Sequence, residues 1–314
     1  PAATAFASIY ELSNAGKEKR DEIVSFVDKI ISDHFMGFRS SEEGEEGVES
    51  FLVKKYEESE DLDQKKVLFA LITGLDFGAK KVGVDRINAA WSVLRKNIKN
   101  LPASDREVRC YQADARRVPL KGNTVDFVVT SPPYINVFNY HQNYRKSVER
   151  TGVNVLGVAK SEIGANRKFR QNRFLTVVQY CMDLAQVFEE IRRVCRADAK
   201  VFFIVGRESR VRGTAFKNAE LITSVSRLLG FELVGEQERF FTNKFGERIY
   251  EEVLRMAITG EVESDYFEKA RTIGRDALKD SLGRCSVEVV DEINEAIEKS
   301  LGIDASPFLG VDGL

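Results

Sequence analysis

The first part of the chain shows apolar residues at helical spacing. Between residues 23 and 31 they recur every three or four positions, at Ile23, Phe26, Val27, Ile30 and Ile31, which predicts one face of a helix. An acidic, glycine-containing stretch over 40–47 predicts a loop, and a helical pattern resumes over 48–56. Residues 1–66 are therefore expected to form a helical N-terminal segment.

From residue 67 to about residue 260, helical patterns alternate with short runs rich in β-branched residues. This alternation predicts an α/β fold. The predicted helices cover 67–75, 88–98, 174–194 and 218–229, and the predicted strands cover 81–85, 108–112, 125–130 and 200–206. Two further segments, 231–241 and 251–259, are expected to close the sheet as an antiparallel pair. Beyond them, residues 261–314 predict two helices with acidic faces.

Composition is typical of a globular protein in a reducing, aqueous compartment. Of the 314 residues, 43% are hydrophobic and 31% are charged, which argues against extensive disorder. No apolar run approaches the roughly 18–20 residues that cross a bilayer, and the N-terminus lacks a signal-peptide pattern, so we expect a cytoplasmic protein without membrane contact. The four cysteines and two histidines lack metal-ligand spacing, so we expect neither a metal site nor a disulfide framework.

The formal net charge of −2 conceals a strong asymmetry along the chain. Residues 1–66 carry 9 basic and 16 acidic side chains, and residues 258–314 carry 6 and 13. Residues 141–217, in contrast, carry 16 basic and 7 acidic side chains. A basic middle between acidic ends suits a polyanion such as nucleic acid, although charge runs are usually solvated surface.

The most informative motif follows directly on the predicted strand 125–130. It reads Ser131-Pro132-Pro133-Tyr134 and lies at the end of a strand, where open α/β sheets bind their ligands. Two consecutive prolines fix φ and remove two N–H donors, which predicts a stiff turn whose carbonyls can point into a pocket. A hydroxyl, a carbonyl and an aromatic face suit a planar base that bears an amino group. Alone, the motif could equally be a proline-stiffened surface turn.

Two acidic residues lie upstream of this motif. Asp85 closes the predicted strand 81–85, and Asp114 follows the next predicted strand. An acid at the end of the second strand of a nucleotide-binding sheet can accept hydrogen bonds from ribose hydroxyls. A second acid, after the third strand, can lie beside an adenine ring. Each one alone could also be a capping or turn aspartate.

Together these segments resemble a known family. The runs GAKKVGVDRINAA and QADARRVPLKGNTVDFVVTSPPYINVFNY resemble the DNA amino-methyltransferases that modify cytosine N4 or adenine N6, and KVFFIVGRESRVRGTAFKNAELI resembles their fifth strand and following loop. The resemblance covers about 67–258. It implies an α/β, Rossmann-like S-adenosylmethionine-dependent methyltransferase sheet, mostly parallel with an antiparallel closing strand. The catalytic domain would span 67–260, between helical segments 1–66 and 261–314.

The resemblance also implies roles for individual residues. Ser131, Pro132, Pro133 and Tyr134 would hold the target amino group and stack on the flipped base. The cofactor S-adenosylmethionine would be bound through its ribose by Asp85 and through its adenine by Asp114, and the adjacent residues Arg86, Ala115 and Thr130 would complete the cofactor site.

One part of the family pattern is missing. A first strand and a glycine-rich turn are expected before the helix 67–75, because such glycines let the backbone approach the cofactor. Residues 57–66 read EESEDLDQKK instead. Either the turn has diverged and cofactor binding is impaired, or a segment near 61–66 is absent from this sequence. The second is favoured, because loss of the first strand would leave a hole at the centre of the sheet.

Basic residues within 141–173 are the candidates for recognition of double-stranded DNA. They are Arg145, Lys146, Arg150, Arg167, Lys168, Arg170 and Arg173. Arginine and lysine neutralise phosphates, and arginine can also read base edges. The alternative is a solvated loop and the start of a helix.

The resulting hypothesis is a site-specific DNA methyltransferase acting on the exocyclic amino group of a flipped base. Serine at the first motif position favours cytosine N4 over adenine N6. A cytosine-C5 mechanism would require a reactive thiolate, usually presented after a proline, and none of the cysteines follows one. The alternatives are an RNA or tRNA base-amine methyltransferase and a catalytically silent DNA-binding subunit. A restriction or defence-system subunit is a further candidate partner.

Overall fold

The computed structural model describes residues 1–38, 46–78, 82–135, 142–165, 168–243 and 245–309. Most of the acidic loop predicted over 40–47 lies outside these residues. The chain divides into two compact units. Of the described residues, unit 1 contains 1–38, 46–78, 82–112 and 142–159, and unit 2 contains 113–135, 160–165, 168–243 and 245–309.

The regular secondary structure of the described part of unit 1 is helical. Its α-helices are α1 (Ala2–Ala7), α2 (Lys17–Phe38), α3 (Glu46–Glu58), α4 (Leu62–Leu75), α5 (Val84–Lys99), α6 (Arg145–Arg150) and α7 (Val155–Ala159), with a 3-10 helix over Ser8–Asn14. The helical patterns at 23–31 and 48–56 are confirmed by α2 and α3. Asp61 caps α4 by accepting hydrogen bonds from the backbone N–H groups of Asp63 and Gln64 (2.9 and 3.1 Å). Apolar residues of α2, α4 and α5 form one buried cluster.

The strand predicted over 81–85 is wrong for the residues that are described. Helix α5 begins there at Val84. The Gly83 carbonyl accepts the backbone N–H groups of Arg86 and Ile87 (3.1 Å each), which closes the first helical turn. The helical turn thus pairs backbone N–H and C=O groups that would otherwise have formed hydrogen bonds with a neighbouring strand.

The strand predicted over 108–112 is also wrong, because this segment has no regular secondary structure. Side chains of the N-terminal 3-10 helix take its backbone donors. The Val108 N–H donates to the Asn14 amide oxygen (2.7 Å), and the Cys110 N–H donates to the Glu11 carboxylate (2.6 Å). These bonds replace the hydrogen bonds of a sheet.

Unit 2 is an α/β structure with a mixed sheet and flanking helices. Its strands are β1 (Val125–Thr130), β2 (Cys195–Gly206), β3 (Glu208–Val211), β4 (Thr214–Lys217), β5 (Phe231–Thr242) and β6 (Arg248–Ile258). Its α-helices are α8 (Leu175–Val194), α9 (Asn218–Leu228), α10 (Tyr266–Ser281) and α11 (Val290–Lys299). The helices predicted at 174–194 and 218–229, and the pair predicted within 261–314, are therefore confirmed.

The main sheet has the order β1-β2-β6-β5. Strands β1 and β2 are parallel, whereas β6 is antiparallel to both β2 and β5. The strands predicted at 125–130 and 200–206 and the closing antiparallel pair are thus confirmed. Among the described strands this sheet has one parallel pair, not the mostly parallel arrangement that we expected, because the strands predicted at 81–85 and 108–112 do not form.

The core of unit 2 lies between the sheet and its helices. Val201, Phe203 and Val205 of β2 are fully buried in one apolar cluster with residues of α8, α9 and α10. The ring of Phe188 in α8 stacks on that of Phe203, with 4.9 Å between ring centroids. Phe127 on β1 is 54% exposed. The helices therefore cover the side of β2 that carries these three residues, and β1 pairs with β2.

Candidate active site

The proline-containing motif lies at the carboxyl end of the parallel pair. Thr130, the last residue of β1, pairs with Phe203 of β2, and Ser131 follows directly. The Ser131 side chain is exposed, Pro132 is buried, and Tyr134 is half-buried. The structure therefore places this motif at the position where α/β sheets bind ligands.

The Tyr134 side chain joins the ends of the two parallel strands. Its hydroxyl oxygen accepts a hydrogen bond from the backbone N–H of Gly206, the last residue of β2 (3.0 Å). The Gly206 carbonyl in turn accepts from the fully buried Asn218 side chain (2.8 Å), whose oxygen accepts from the Ser209 hydroxyl (2.8 Å). This chain of hydrogen bonds holds the Tyr134 ring in Ser131–Tyr134, a segment without regular secondary structure that we call the turn.

The main chain of the turn is held from another side. The Tyr180 hydroxyl, on α8, donates to the Pro133 carbonyl oxygen (3.0 Å). Sequence reasoning missed Tyr180 and Gly206. Gly206 ends a strand that was predicted, so its place beside the motif could have been anticipated. Tyr180 lies on an apolar helix and carries no comparable signal.

Asp114 lies in unit 2 with both carboxylate oxygens engaged. One oxygen accepts from the backbone N–H and Nε of Arg116 (3.0 and 2.9 Å). The other accepts from Nη2 of Arg116 (2.7 Å) and from the Leu309 N–H (3.0 Å). Burial alone would raise the pKa of Asp114, but the hydrogen bonds from Arg116 and Leu309 outweigh it and lower the pKa. Asp114 is thus an ionised carboxylate whose acceptor positions are taken.

Arg116 connects Asp114 to a second buried carboxylate. Its guanidinium is fully buried and donates to Asp183 (3.2 Å) and to the Ser306 carbonyl (2.6 Å). Asp183 also accepts from the Ser306 N–H (2.7 Å) and hydroxyl (2.5 Å). Burial raises the pKa of Asp183, and the nearby Lys168, the Ser306 hydrogen bonds and Arg116 oppose this rise. We call Asp114, Arg116, Lys168, Asp183 and Ser306 the buried charge network.

Asp85 and Arg86 belong to unit 1 and do not follow a strand. Both lie in the first turn of α5, where Asp85 is exposed and Arg86 is half-buried. Nη1 of Arg86 is buried and has no hydrogen-bond partner among the described residues. Ala115 and Thr130, the other two residues predicted to bind the cofactor, belong to unit 2, where Ala115 is exposed and Thr130 half-buried.

Taken unit by unit, these side chains match only single features of S-adenosylmethionine. The exposed Asp85 carboxylate can accept hydrogen bonds from ribose hydroxyls. Asp114 could accept an adenine amino group only after the Leu309 N–H had moved away. A glycine-rich turn is also missing from the described chain before α4, since residues 59–61 connect α3 to the Asp61-capped start of α4.

The basic residues predicted to contact DNA fall in both units. In unit 1, Arg145 pairs with Glu149 (2.7 Å), Arg150 lies 3.6 Å from Glu49, and Lys146 is exposed. The carboxylates of Glu149 and Glu49 therefore partly neutralise Arg145 and Arg150, respectively. Their role as DNA contacts stays a prediction.

Of the predicted DNA contacts described in unit 2, one lies largely inside the protein and two are exposed. The Lys168 ammonium donates to the Glu162 carbonyl (2.6 Å) and to the Ser306 hydroxyl, inside the buried charge network, and burial lowers its pKa. Arg170 and Arg173 are exposed and available to phosphates. Arg167 lies outside the described residues.

Three of the four cysteines show little thiolate character. Burial raises the pKa of Cys110, Cys181 and Cys195, and that of Cys181 reaches about 12. These groups stay protonated thiols at neutral pH, which does not suit a nucleophile. In the ranges that the structure covers, no His, Cys, Asp and Glu side chains gather into a metal-binding group, and no helix has the length and apolarity to span a membrane.

Comparison of the chain with protein-family models, with curated proteins and with solved structures returns no match. Any functional assignment therefore depends on the residues of the site.

Proposed function

We propose that this protein is a Rossmann-like, S-adenosylmethionine-dependent methyltransferase that modifies the exocyclic amino group of a flipped base in double-stranded DNA. Cytosine N4 is favoured over adenine N6. The observation that carries the proposal is the position of the Ser131–Tyr134 turn. It follows a parallel strand at its carboxyl end, and its tyrosine is hydrogen-bonded to the end of the neighbouring parallel strand.

The residues of the turn suit the chemistry of an aromatic amine. The lone pair of such a nitrogen is delocalised into the ring, so the nitrogen is a poor nucleophile. Hydrogen bonds from its N–H groups to the Ser131 hydroxyl oxygen and to the Pro132 carbonyl would favour a pyramidal nitrogen with a freer lone pair. Transfer would replace one N–H proton, released to solvent, with the methyl group, and the S–CH3 bond that breaks would leave its electron pair on the sulfur. The cofactor supplies the electrophilic methyl group.

The flipped base also requires a stacking surface. Removing a base from the duplex costs a few kcal/mol, and stacking on an aromatic ring with hydrogen bonds in the pocket offsets this cost. Tyr134 would provide that surface, because the Gly206 N–H holds its hydroxyl end in place. Arg170 and Arg173, both exposed, would contact phosphates, as would the predicted contacts in unit 1.

A second candidate function is a catalytically silent DNA-binding subunit of a modification or defence complex. Two observations favour it. The Asp114 carboxylate is saturated by Arg116 and Leu309, and the described chain has no glycine-rich turn before α4. In such a subunit the Ser131–Tyr134 turn would persist without transferring a methyl group.

Calorimetric titration with S-adenosylmethionine separates these two candidates. The wild-type protein is expected to bind, and Asp85→Ala is expected to weaken binding at least about tenfold, the effect of roughly 1.4 kcal/mol of lost interaction. The matched control is Asp105→Ala, which removes another carboxylate of unit 1 from a turn outside the predicted site. A folded wild-type protein that does not bind the cofactor would favour the silent subunit.

A further inference from the structure

We infer that Tyr180 and Gly164 are positioning residues that hold the Ser131–Tyr134 turn in one geometry for methyl transfer. The inference rests on the proposed function, because that function assigns the target amino group to this turn. Neither residue is expected to touch the base. Both act through the main chain of the turn.

Tyr180 acts through a hydrogen bond to the main chain of the turn. Its side chain is fully buried in α8, and its hydroxyl donates to the Pro133 carbonyl (3.0 Å). Two prolines remove the N–H donors that a turn would ordinarily offer to its own carbonyls, so a donor from outside the turn is needed. A bond at this carbonyl fixes the peptide plane between Pro133 and Tyr134. It therefore also sets how the Pro132 carbonyl is oriented relative to the Tyr134 ring.

Gly164 supports the same peptide from a loop. Its φ of +68° lies in the left-handed region that side chains other than glycine rarely adopt. A Cβ at this position would lie 2.9 Å from the Tyr134 carbonyl oxygen and 3.3 Å from Cδ2 of Tyr180. The loop backbone therefore lies directly against both the turn and the tyrosine that holds it, and no side chain fits between them.

The two contacts complement the hydrogen bond at the ring end of Tyr134. Tyr180 and Gly164 fix the main chain, and the Gly206 N–H fixes the ring. The exposed Ser131 lies at the opposite, solvent-facing end of the turn. Catalytic groups act efficiently when neighbours hold them within about 0.5 Å of the productive geometry. This arrangement supports both the main chain of the turn and the Tyr134 ring, while Ser131 stays exposed.

The test compares Tyr180→Phe with the matched control Tyr266→Phe. Tyr266 is also in unit 2, and burial, together with the Glu189 carboxylate, raises the pKa of its hydroxyl to about 12. The first readout is single-turnover methyl transfer to duplex DNA, measured together with the KM for DNA. The second readout is hydrogen exchange at the Tyr134 and Ile135 amides, which reports on the turn whether or not the protein is active. Far-UV circular dichroism establishes that each variant is folded.

Tyr180→Phe is expected to reduce the transfer rate on the order of 10- to 100-fold, with a KM for DNA within about twofold of the wild type. Tyr266→Phe should match the wild type. Equal rates in the two variants, or parallel losses of rate and DNA affinity, would overturn the inference. If Tyr180→Phe does not fold, Gly164→Ala, which pushes on the Tyr134 carbonyl, takes its place with the same expectation.

Failure of the proposed function gives a different result. A wild-type protein that transfers no methyl group would reject that function, and hydrogen exchange would then decide on the positioning role alone. Faster exchange in Tyr180→Phe than in Tyr266→Phe would support the hold on the turn. Equal exchange in the two variants would overturn it.

Discussion

Replacing Arg116 with methionine is expected to destabilise the protein strongly. The guanidinium is fully buried and bonds to two carboxylates, with 2.7 Å to Asp114 and 3.2 Å to Asp183. It also donates to the carbonyls of Ser306 and Pro307 (2.6 and 2.8 Å). Methionine keeps much of the apolar stem but removes the charge and every one of these donors.

The magnitude follows from what the substitution leaves behind. Removing one partner of a buried ion pair costs about 3–5 kcal/mol, because the remaining charge stays buried without compensation. Here two carboxylates lose their shared cation, and among the described basic side chains Lys168 remains near Asp183 (4.0 Å). We therefore expect a loss of about 3–5 kcal/mol in the free energy of unfolding at neutral pH.

The loss should depend on pH. Without Arg116, the folded-state pKa values of Asp114 and Asp183 rise, so the folded variant takes up protons at higher pH than the unfolded chain. Protonation removes the uncompensated charge. The difference in the free energy of unfolding between variant and wild type is therefore largest at pH 8. It shrinks as the pH falls toward about 4–5, near the carboxylate pKa of an unfolded chain.

The assay is urea unfolding followed by circular dichroism at several pH values. The control is Arg196→Met, which breaks a surface pair with Asp126 whose side chains are 51% and 69% exposed. The control should change stability by no more than about 0.5 kcal/mol. A loss in Arg116→Met below about 1 kcal/mol, a value typical of surface pairs, would refute the reasoning.

Three further predictions concern packing, titration and DNA contact. Gly274→Ala should lower the free energy of unfolding by about 1–3 kcal/mol, because its Cβ would lie 2.6 Å from a backbone atom of α8. Gly283→Ala, which has open space around it, should leave thermal unfolding unchanged. Equal melting temperatures of the two variants would contradict this prediction. Asp114 has a lowered pKa in the folded protein, so the stability it contributes is complete above its pKa in the unfolded chain and is lost as the pH falls through its folded-state pKa. Asp114→Asn should therefore lose stability at neutral pH and little at acid pH. A difference in urea midpoints that does not change with pH would argue against this. Arg170→Gln should lower the slope of log DNA affinity against log salt concentration by about 1. Lys168→Gln should leave this slope unchanged, because that ammonium is bound inside the protein. A lower slope in Lys168→Gln and an unchanged slope in Arg170→Gln would exclude this division of roles.

Elements with strong local patterns could be predicted from the sequence. The helices α8 and α9 and the strands β1, β2, β5 and β6 have the expected periodicity, and the structure confirms them. The short apolar run at 81–85 was ambiguous, because periodicity alone does not separate a short strand from the start of a helix. The segment 108–112 has its backbone donors taken by Glu11 and Asn14, about a hundred residues earlier. No local pattern reveals such partners.

The candidate site shows the same limit. The place of Ser131–Tyr134 could be predicted because the motif directly follows a strong strand pattern. The surroundings of Asp114 could not, since Leu309 reaches it across 195 residues. The bond between Tyr180 and Pro133 spans 47 residues. Long-range contacts of this kind depend on how helices pack on the sheet, and local sequence patterns do not reveal that packing.

The most direct test of the proposed function is mass spectrometry of nucleosides from duplex DNA and, in parallel, from tRNA, each incubated with the protein and methyl-deuterated S-adenosylmethionine. The account predicts deuterated N4-methylcytosine, or N6-methyladenine if adenine is the target. It also predicts loss of the label in Tyr134→Ala, which removes the stacking ring. The absence of any labelled base in DNA treated with the folded wild-type protein, or label found in tRNA alone, would contradict the account.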